Sequence, residues 1–267
     1  MSLLLNGQRI PGTERVRENI IFKPGMPNTR KNMKPQGFGL HWTGAENPST
    51  RVISTLKSRK LSVHLIGEKT GDLVQTADLS TICAHIGTGN PRFIGIEMVC
   101  RGFATKEDLA IAKAADPTLR DRDELDWAEA RDTYRDTIGG REIGMASFDP
   151  RMIENVLWLS ETLAGVFAFP RVIPWRKVIP TDKFLATLPL PNPESFLVSH
   201  EGSTWLPAFD RDFAPKGRAA TYRGVLGHCH LHDEKYDPGT QPFYALWAEG
   251  WNPAAKKLPG AMAGLVG

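Results

Sequence analysis

An α/β fold is predicted for this chain of 267 residues by three observations. Short apolar segments recur at 37–42, 61–67, 73–75, 93–99 and 225–227, each the length of a strand. Two longer stretches, 48–60 and 149–167, carry apolar residues at helical spacing. The turn Lys69-Thr70-Gly71-Asp72 joins two of the strands as a hairpin.

Taken in order, residues 3–10 read as a strand and turn, with Asn6-Gly7 as the turn signal, followed by a polar, Pro-containing approach through residue 36. Residues 1–36 are accordingly read as an N-terminal extension and 37–267 as a single domain. Gly37 to Trp42 is a strand, and Pro48 to Lys60 a helix with Val52, Ile53 and Leu56 on one side. Leu61 to Gly67 and Leu73 to Gln75 flank the hairpin turn, and Phe93 to Val99 is a buried strand with one acid, Glu97, inside it. The stretch 104–140 is rich in charge and alanine and reads as an inserted, largely helical excursion. From Asp149 to Phe167 helical periodicity returns: Asp149 caps, Pro150 suits the first turn, and Ile153, Val156, Leu157, Ser160, Leu163 and Ala164 form the packing stripe. Seven prolines within 174–220 mark a second long insertion, after which Val225-Leu226-Gly227 is a short strand leading to His228.

Composition limits the function classes. A hydrophobic share of 41% and a charged share of 24% belong to a folded globular protein. A formal charge of +3 suits an anionic polymer such as cell wall and does not call for nucleic acid. Three cysteines, Cys83, Cys100 and Cys229, make no disulfide framework and fit a reducing compartment. The first residues lack a basic leader, and their apolar run is too short for a signal peptide or a membrane span. The expectation is synthesis in the cytoplasm without membrane insertion, so that a substrate outside the cell requires separate delivery.

His41 is answered nearly two hundred residues later by the run His228-Cys229-His230-Leu231-His232-Asp233-Glu234-Lys235-Tyr236-Asp237-Pro238-Gly239. A lone His41 reads as a core or surface histidine, the His run as a loose metal trap or a loop cluster, and Asp237-Pro238-Gly239 as a turn. Together they read as a split metal site. The loop after His228 is long enough to bring Asp237 back to a metal held by both histidines, and two His plus one carboxylate with an open position is a catalytic zinc arrangement. Glu97, in an apolar strand, needs a salt bridge, an outward-pointing position or a role, because a lone buried carboxylate is costly. Beside a metal-activated water it serves as general base and acid.

These segments resemble a known family. His41-Trp42-Thr43-Gly44, Ser62-Val63-His64-Leu65-Ile66 with Gly71 and Gln75, Ala84-His85-Ile86-Gly87, Ile94-Gly95-Ile96-Glu97, and Gly227-His228 through Lys235 to Gly239 look like the successive motifs of type 2 N-acetylmuramoyl-L-alanine amidases, zinc enzymes related to peptidoglycan recognition proteins. The resemblance implies a mixed central β-sheet flanked by helices, with zinc in a groove at one edge and insertions at about 104–140 and 174–220. It implies His41, His228 and Asp237 as Zn2+ ligands, Glu97 and Lys235 as catalytic residues, and His64 and His85 as histidines that line or support the substrate cleft. Cys229, His230 and His232 match no required position, and Cys229 reads as a buried small residue. The implied reaction is hydrolysis of the amide between N-acetylmuramic acid and L-alanine in peptidoglycan or muropeptides, in a phage or prophage endolysin. A cytoplasmic muropeptide-recycling amidase and a non-catalytic peptidoglycan-binding protein are the alternatives. A zinc peptidase of the common helical type is disfavoured by the absence of His-Glu-x-x-His. Oligomeric state is not legible in the sequence.

Overall fold

A computed structural model describes residues 2–13, 20–100, 103–104, 134–138, 141–145, 148–178, 198–200, 203–207, 221–232, 235, 237–239 and 241–254. Its N-terminal hairpin pairs β1 (Leu4–Leu5) with β2 (Gln8–Arg9). Asn6 and Gly7 both adopt positive φ, as a two-residue hairpin turn demands.

The central sheet holds six strands: β3 (Ile20–Phe22), β4 (Gly37–Trp42), β5 (Leu65–Gly67), β6 (Leu73–Gln75), β7 (Phe93–Met98) and one late strand, Gly224–Gly227. Its order across the sheet is 224–227, β4, β7, β5, β6, β3. The first four strands are mutually parallel, β5 and β6 form the antiparallel hairpin, and β3 joins β6 in parallel. This is the mixed sheet that the family resemblance implies. Residues before position 36 therefore contribute an edge strand, and Leu3 is wholly buried in the core.

Side chains alternate between the two faces with period two. Phe38, Leu40, Leu65, Ile94, Ile96 and Met98 join one cluster, which packs against helix α2 (Pro150–Phe167) through Met152, Val156, Leu159 and Leu163. Ile66 and Val74 point to the other face, where Val52 and Leu56 of helix α1 (Ser49–Ser58) cover them. Gly39, His41, Gly95 and Glu97 lie between residues of the first cluster along their strands, so they look toward the α1 side.

Each helix boundary has a local cause. Helix α1 starts after Pro48, and its first free amide, on Ser49, donates to Glu68 Oε1 at 2.7 Å. It ends where Lys60 takes a positive φ and Leu61 N donates to Leu56 O at 2.8 Å. In α2, Asp149 Oδ1 accepts from Arg151 N at 2.9 Å with Pro150 in the first turn. Its buried stripe is rotated from the sequence expectation toward Met152, Asn155 and Leu159, leaving Ile153 and Leu157 partly buried. The reason is polar: Asn155 Nδ2 donates to Gly71 O at 2.8 Å, tying the helix to the hairpin turn. The expected strand at 61–67 is regular only from Leu65, because Ser62 and His64 bond instead to Ala84 and Thr76.

Of the stretch read as largely helical, Tyr134–Ile138 is strand β9, the rest of 104–140 beyond Phe103–Ala104 (β8) lying outside the described residues. It pairs with β10 (Arg141–Met145), and the sequence Gly139-Gly140 between them is a hairpin signal that charge content obscured. Within and beside 174–220, strands β11 (Val172–Val178), β12 (Val198–His200) and β13 (Ser203–Pro207) form a second sheet; the late central strand (Gly224–Gly227) is β14, and β15 (Asn252–Ala254) completes that second sheet. Helix α3 (Gln241–Ala248) buries Phe243, Tyr244 and Leu246 in the α2 cluster. No helix among the described residues is long and apolar enough to cross a membrane.

Leu159 is fully buried where α2 meets the sheet. Replacing it with alanine is expected to cost about 3 kcal/mol of unfolding free energy in urea titrations; a loss under 1 kcal/mol would mean that α2 is not packed as described.

Candidate active site

Three parallel strands end side by side, and their register sets the site. His41 on β4 is the Cα partner of Glu97 on β7, while Gly227 on β14 is the partner of Leu40, so His228 follows beside His41. Two imidazoles and a carboxylate thus stand in a row at the carboxyl ends of parallel strands, where α/β sheets place ligands. The loop after His228 then folds back: Cys229 N donates to Asp237 O at 3.0 Å. Gly227 permits that return, since a Cβ there would lie 2.4 Å from Pro238 Cδ.

Asp237 Oδ2 consequently sits 3.2 Å from His41 Nδ1 and 3.3 Å from His228 Nδ1. One ligand atom from each of the three residues lies within 4.8 Å of the others. His41 and Asp237 are buried and His228 is partly exposed. Burial pushes the Asp237 carboxyl up, but the His228 imidazole beside it pulls it down further, and it rests below the usual carboxylate range.

The protons on these rings follow from their partners. His85 Nε2 lies 3.0 Å from the Phe93 carbonyl oxygen and donates to it. Burial, then the neighbouring histidines, hold His85 well below the ordinary pKa, so the ring is neutral and its Nδ1 is an acceptor. His41 Nε2, 3.0 Å from that Nδ1, must donate. His41 is itself neutral, lowered to about 4 by burial against the opposing pull of Asp237. One proton per neutral ring leaves the lone pair of His41 Nδ1 facing the Asp237 carboxylate. Two acceptors at 3.2 Å repel unless a cation lies among them, so this donor set fits a divalent metal ion. The chain from the Phe93 carbonyl through His85 to His41 orients the ring as metal-bound histidines are usually oriented.

A pocket of about 230 Å³ opens over the cluster. Glu97, part-exposed at its wall, has a carboxyl raised well above the ordinary value by burial and then by the charge of Asp237, with Arg59 and Lys235 pulling the other way. Lys235 is exposed at the pocket lining, and its backbone N donates to His232 O at 3.1 Å. The pocket also takes in Arg59, at the end of α1, which the sequence reading missed; its only signal was a cation just past a helix that faces the strand ends carrying His41 and His228.

The two remaining predicted histidines part company. His85 lines the pocket, with both ring nitrogens committed to His41 and Phe93. His64 is wholly buried, donates from Nε2 to Thr81 O at 2.6 Å and accepts from Gly95 N at 3.0 Å. No ring nitrogen of His64 is left for a substrate, and it braces the β5 to β7 region instead. Cys229 is fully buried and His230 accepts from Gly227 N at 2.9 Å, so both support the turn. His232 meets the His228 ring edge at 4.9 Å between centroids.

A Cβ at Gly95 would lie 2.4 Å from the His85 ring. Gly95→Ala is therefore expected to displace His85 and weaken metal affinity by about 10- to 100-fold, read by competition with a chromogenic chelator; an unchanged affinity would detach His85 from the site. The metal-free protein should also lose stability in acid. His41 and His64 are lowered from 6.5 to about 4, and His230 to about 3, all by burial first. Between pH 6.5 and those values the unfolded chain binds protons that the folded one refuses, so stability falls as pH falls, by up to about 1.4 kcal/mol per pH unit for each histidine. Urea midpoints that stay level from pH 6.5 to 4.5 would show that these rings are not buried neutral.

A family model described as N-acetylmuramoyl-L-alanine amidase matches residues 31–174, which include His41, His64, His85 and Glu97 and stop short of His228 and Asp237. No curated protein sequence matches the chain. Among solved structures, the N-acetylmuramoyl-L-alanine amidase LysC from Clostridium intestinale URNW is similar at 12% identity and a TM-score of 0.45, over 86% of this chain and 96% of that one. The hydrolase AmiA of Staphylococcus aureus, in complex with its ligand, is similar at 19% identity and a TM-score of 0.28, over 48% and 64%. The E. coli amidase AmiD, in complex with anhydro-N-acetylmuramic acid-L-Ala-D-gamma-Glu-L-Lys, is similar at 14% identity and a TM-score of 0.31, over 62% and 51%. With the family match spanning more than half of its length, this chain belongs to the N-acetylmuramoyl-L-alanine amidase family.

Proposed function

We propose that the protein is a zinc-dependent N-acetylmuramoyl-L-alanine amidase that cleaves the amide between the lactyl group of N-acetylmuramic acid and the L-alanine of the stem peptide. The observation that carries this reading is the convergence of His41, His228 and Asp237 within 4.8 Å, beside Glu97, in a chain of this family. Zinc held by those three residues would supply Lewis acidity toward the amide carbonyl and toward water near neutral pH.

The rest of the chemistry falls to the chain. Glu97 accepts a proton from the attacking water and returns it to the departing alanine nitrogen, which makes one carboxyl both base and acid. Its raised pKa suits both halves, because a carboxyl of ordinary acidity binds the proton too weakly to be an effective acceptor. Lys235 faces the oxygen on which negative charge develops. Its ammonium, at the pocket lining rather than buried, strengthens its hold as that charge grows. His85 keeps the His41 lone pair aimed at the metal position.

We further take the substrate to be polymeric cell wall and the protein to be a phage or prophage lysin. The long segments at 104–140 and 174–220, which lengthen the chain between motifs, support this over recycling of soluble muropeptides.

Glu97→Gln is expected to abolish turnover while metal content stays at one ion per chain, measured by elemental analysis beside a product assay. Full activity in that variant would remove Glu97 from the mechanism. With purified sacculi, mass spectrometry should find free stem peptides and stripped glycan chains with the zinc-loaded protein and neither after chelation. Intact sacculi alongside cleaved soluble muropeptide would overturn the lysin reading and leave a recycling amidase.

A further inference from the structure

Beside the pocket lies a concentration of positive charge that the proposed chemistry does not use. No acidic residue occurs between Glu18 and Glu46, or between Glu46 and Glu68. Those two stretches supply the exposed cations Arg30, Lys31, Lys34, Arg51, Lys57, Arg59 and Lys60, none of them in an ion pair among the described residues. Residues 19–67 carry eight cations against one acid, Glu46, a net charge of +7 where the whole chain has +3, so the other residues sum to −4 and the charge is segregated.

The fold brings the two stretches together. Met26 packs with Val52 and Leu56 of α1. The Asn28 amide donates to the Lys60 carbonyl, and the Cβ position of Gly25 lies 3.9 Å from Lys57 Nζ. Arg30 and Ile82 exchange backbone hydrogen bonds of 3.0 and 2.6 Å, and Ser62 N donates to Ala84 O at 3.1 Å. Arg59, Leu61 and Ala84 then line the pocket, so the cationic face runs into its rim. The nearby acid Asp78 is occupied by the Ser80 hydroxyl and the amides of Asn6, Gly7 and Ser80. A helix C-terminus favours a cation such as Lys57 in its last turn, but not Arg30, Lys31 and Lys34, which come from another segment.

We propose that this face is a second contact surface for peptidoglycan, holding carboxylates of stem peptides that neighbour the one in the pocket, so that polymer is preferred over a single muropeptide. The inference rests on the amidase reading for the identity of the polymer. Charge of one sign on the enzyme and repeated carboxylates on the wall give complementarity with strong salt dependence.

The test uses the full-length zinc-loaded protein carrying Glu97→Gln, so that sacculi stay intact, and sediments it with sacculi stripped of phosphate polymers. The expected result is a fall in affinity of tenfold or more between 50 and 200 mM salt, and a loss of about tenfold at low salt when Lys31, Lys34, Lys57 and Lys60 are all changed to Glu, with the salt dependence largely gone. In the Glu97 background the same four changes should slow release from sacculi about tenfold while cleavage of a soluble disaccharide-tripeptide stays within twofold. Equal sacculus affinity with and without the four changes would overturn the proposal. So would binding only to sacculi that keep their phosphate polymers, or an equal loss on the soluble substrate. Absence of any cleavage by the unaltered protein would sink the amidase reading instead, and the sedimentation result would still decide whether the face binds wall.

Discussion

One buried carboxylate held between two imidazoles sets the terms for the rest of this site. Asp237 lies 3.2 and 3.3 Å from His41 and His228, in a place where an unpaired charge is costly. Everything around it is arranged to answer that charge. The loop from β14 is pinned by the Cys229 to Asp237 backbone bond, His41 is held by His85, and His85 is held by a main-chain carbonyl that cannot change its protonation. A neutral ring in the supporting position adds no negative charge to the centre. A divalent ion there would keep a net positive charge, with Asp237 the one anion bonded to it, and so stay a strong Lewis acid.

The same arrangement separates the roles of two nearby acids. Asp237 is stabilised in its ionised form, while Glu97, one strand away, is pushed toward its protonated form by burial and by Asp237 itself. Environments that drive like groups apart let one pocket hold a carboxylate suited to a cation and a carboxyl suited to proton transfer. Arg59 and Lys235 moderate the push on Glu97.

The central sheet makes this possible because its parallel strands share one carboxyl end. A register of His41 against Glu97, with β14 alongside, converts three distant stretches of chain into one row. Gly39 and Gly95 lie on the α1 face of the same strands. A side chain at Gly95 would fill the space that the His85 ring occupies, and one at Gly39 would press on Ile86 next to it, so the absence of two Cβ atoms is part of the site.

Much of this was legible in the sequence because it depends on local pattern. Strands 37–42, 73–75 and 93–98, both long helices and the Asn6-Gly7 turn follow from periodicity and turn chemistry, which neighbouring residues decide among themselves. The candidate ligands, too, were visible as residue types at an unusual spacing. What the sequence could not decide needs partners far along the chain. The stripe of α2 turned because Asn155 finds Gly71 O, and Tyr134–Ile138 became strand by pairing with β10. His64 became a brace and His85 an orienting residue because backbone groups of Thr81, Gly95 and Phe93 claim their nitrogens. Arg59 joined the pocket because α1 packs over the strand ends. Local pattern determined which elements form and which residues bear chemistry. Only long-range packing and hydrogen bonding decided what each side chain faces, since a ring nitrogen or a carboxylate takes its role from the group opposite it.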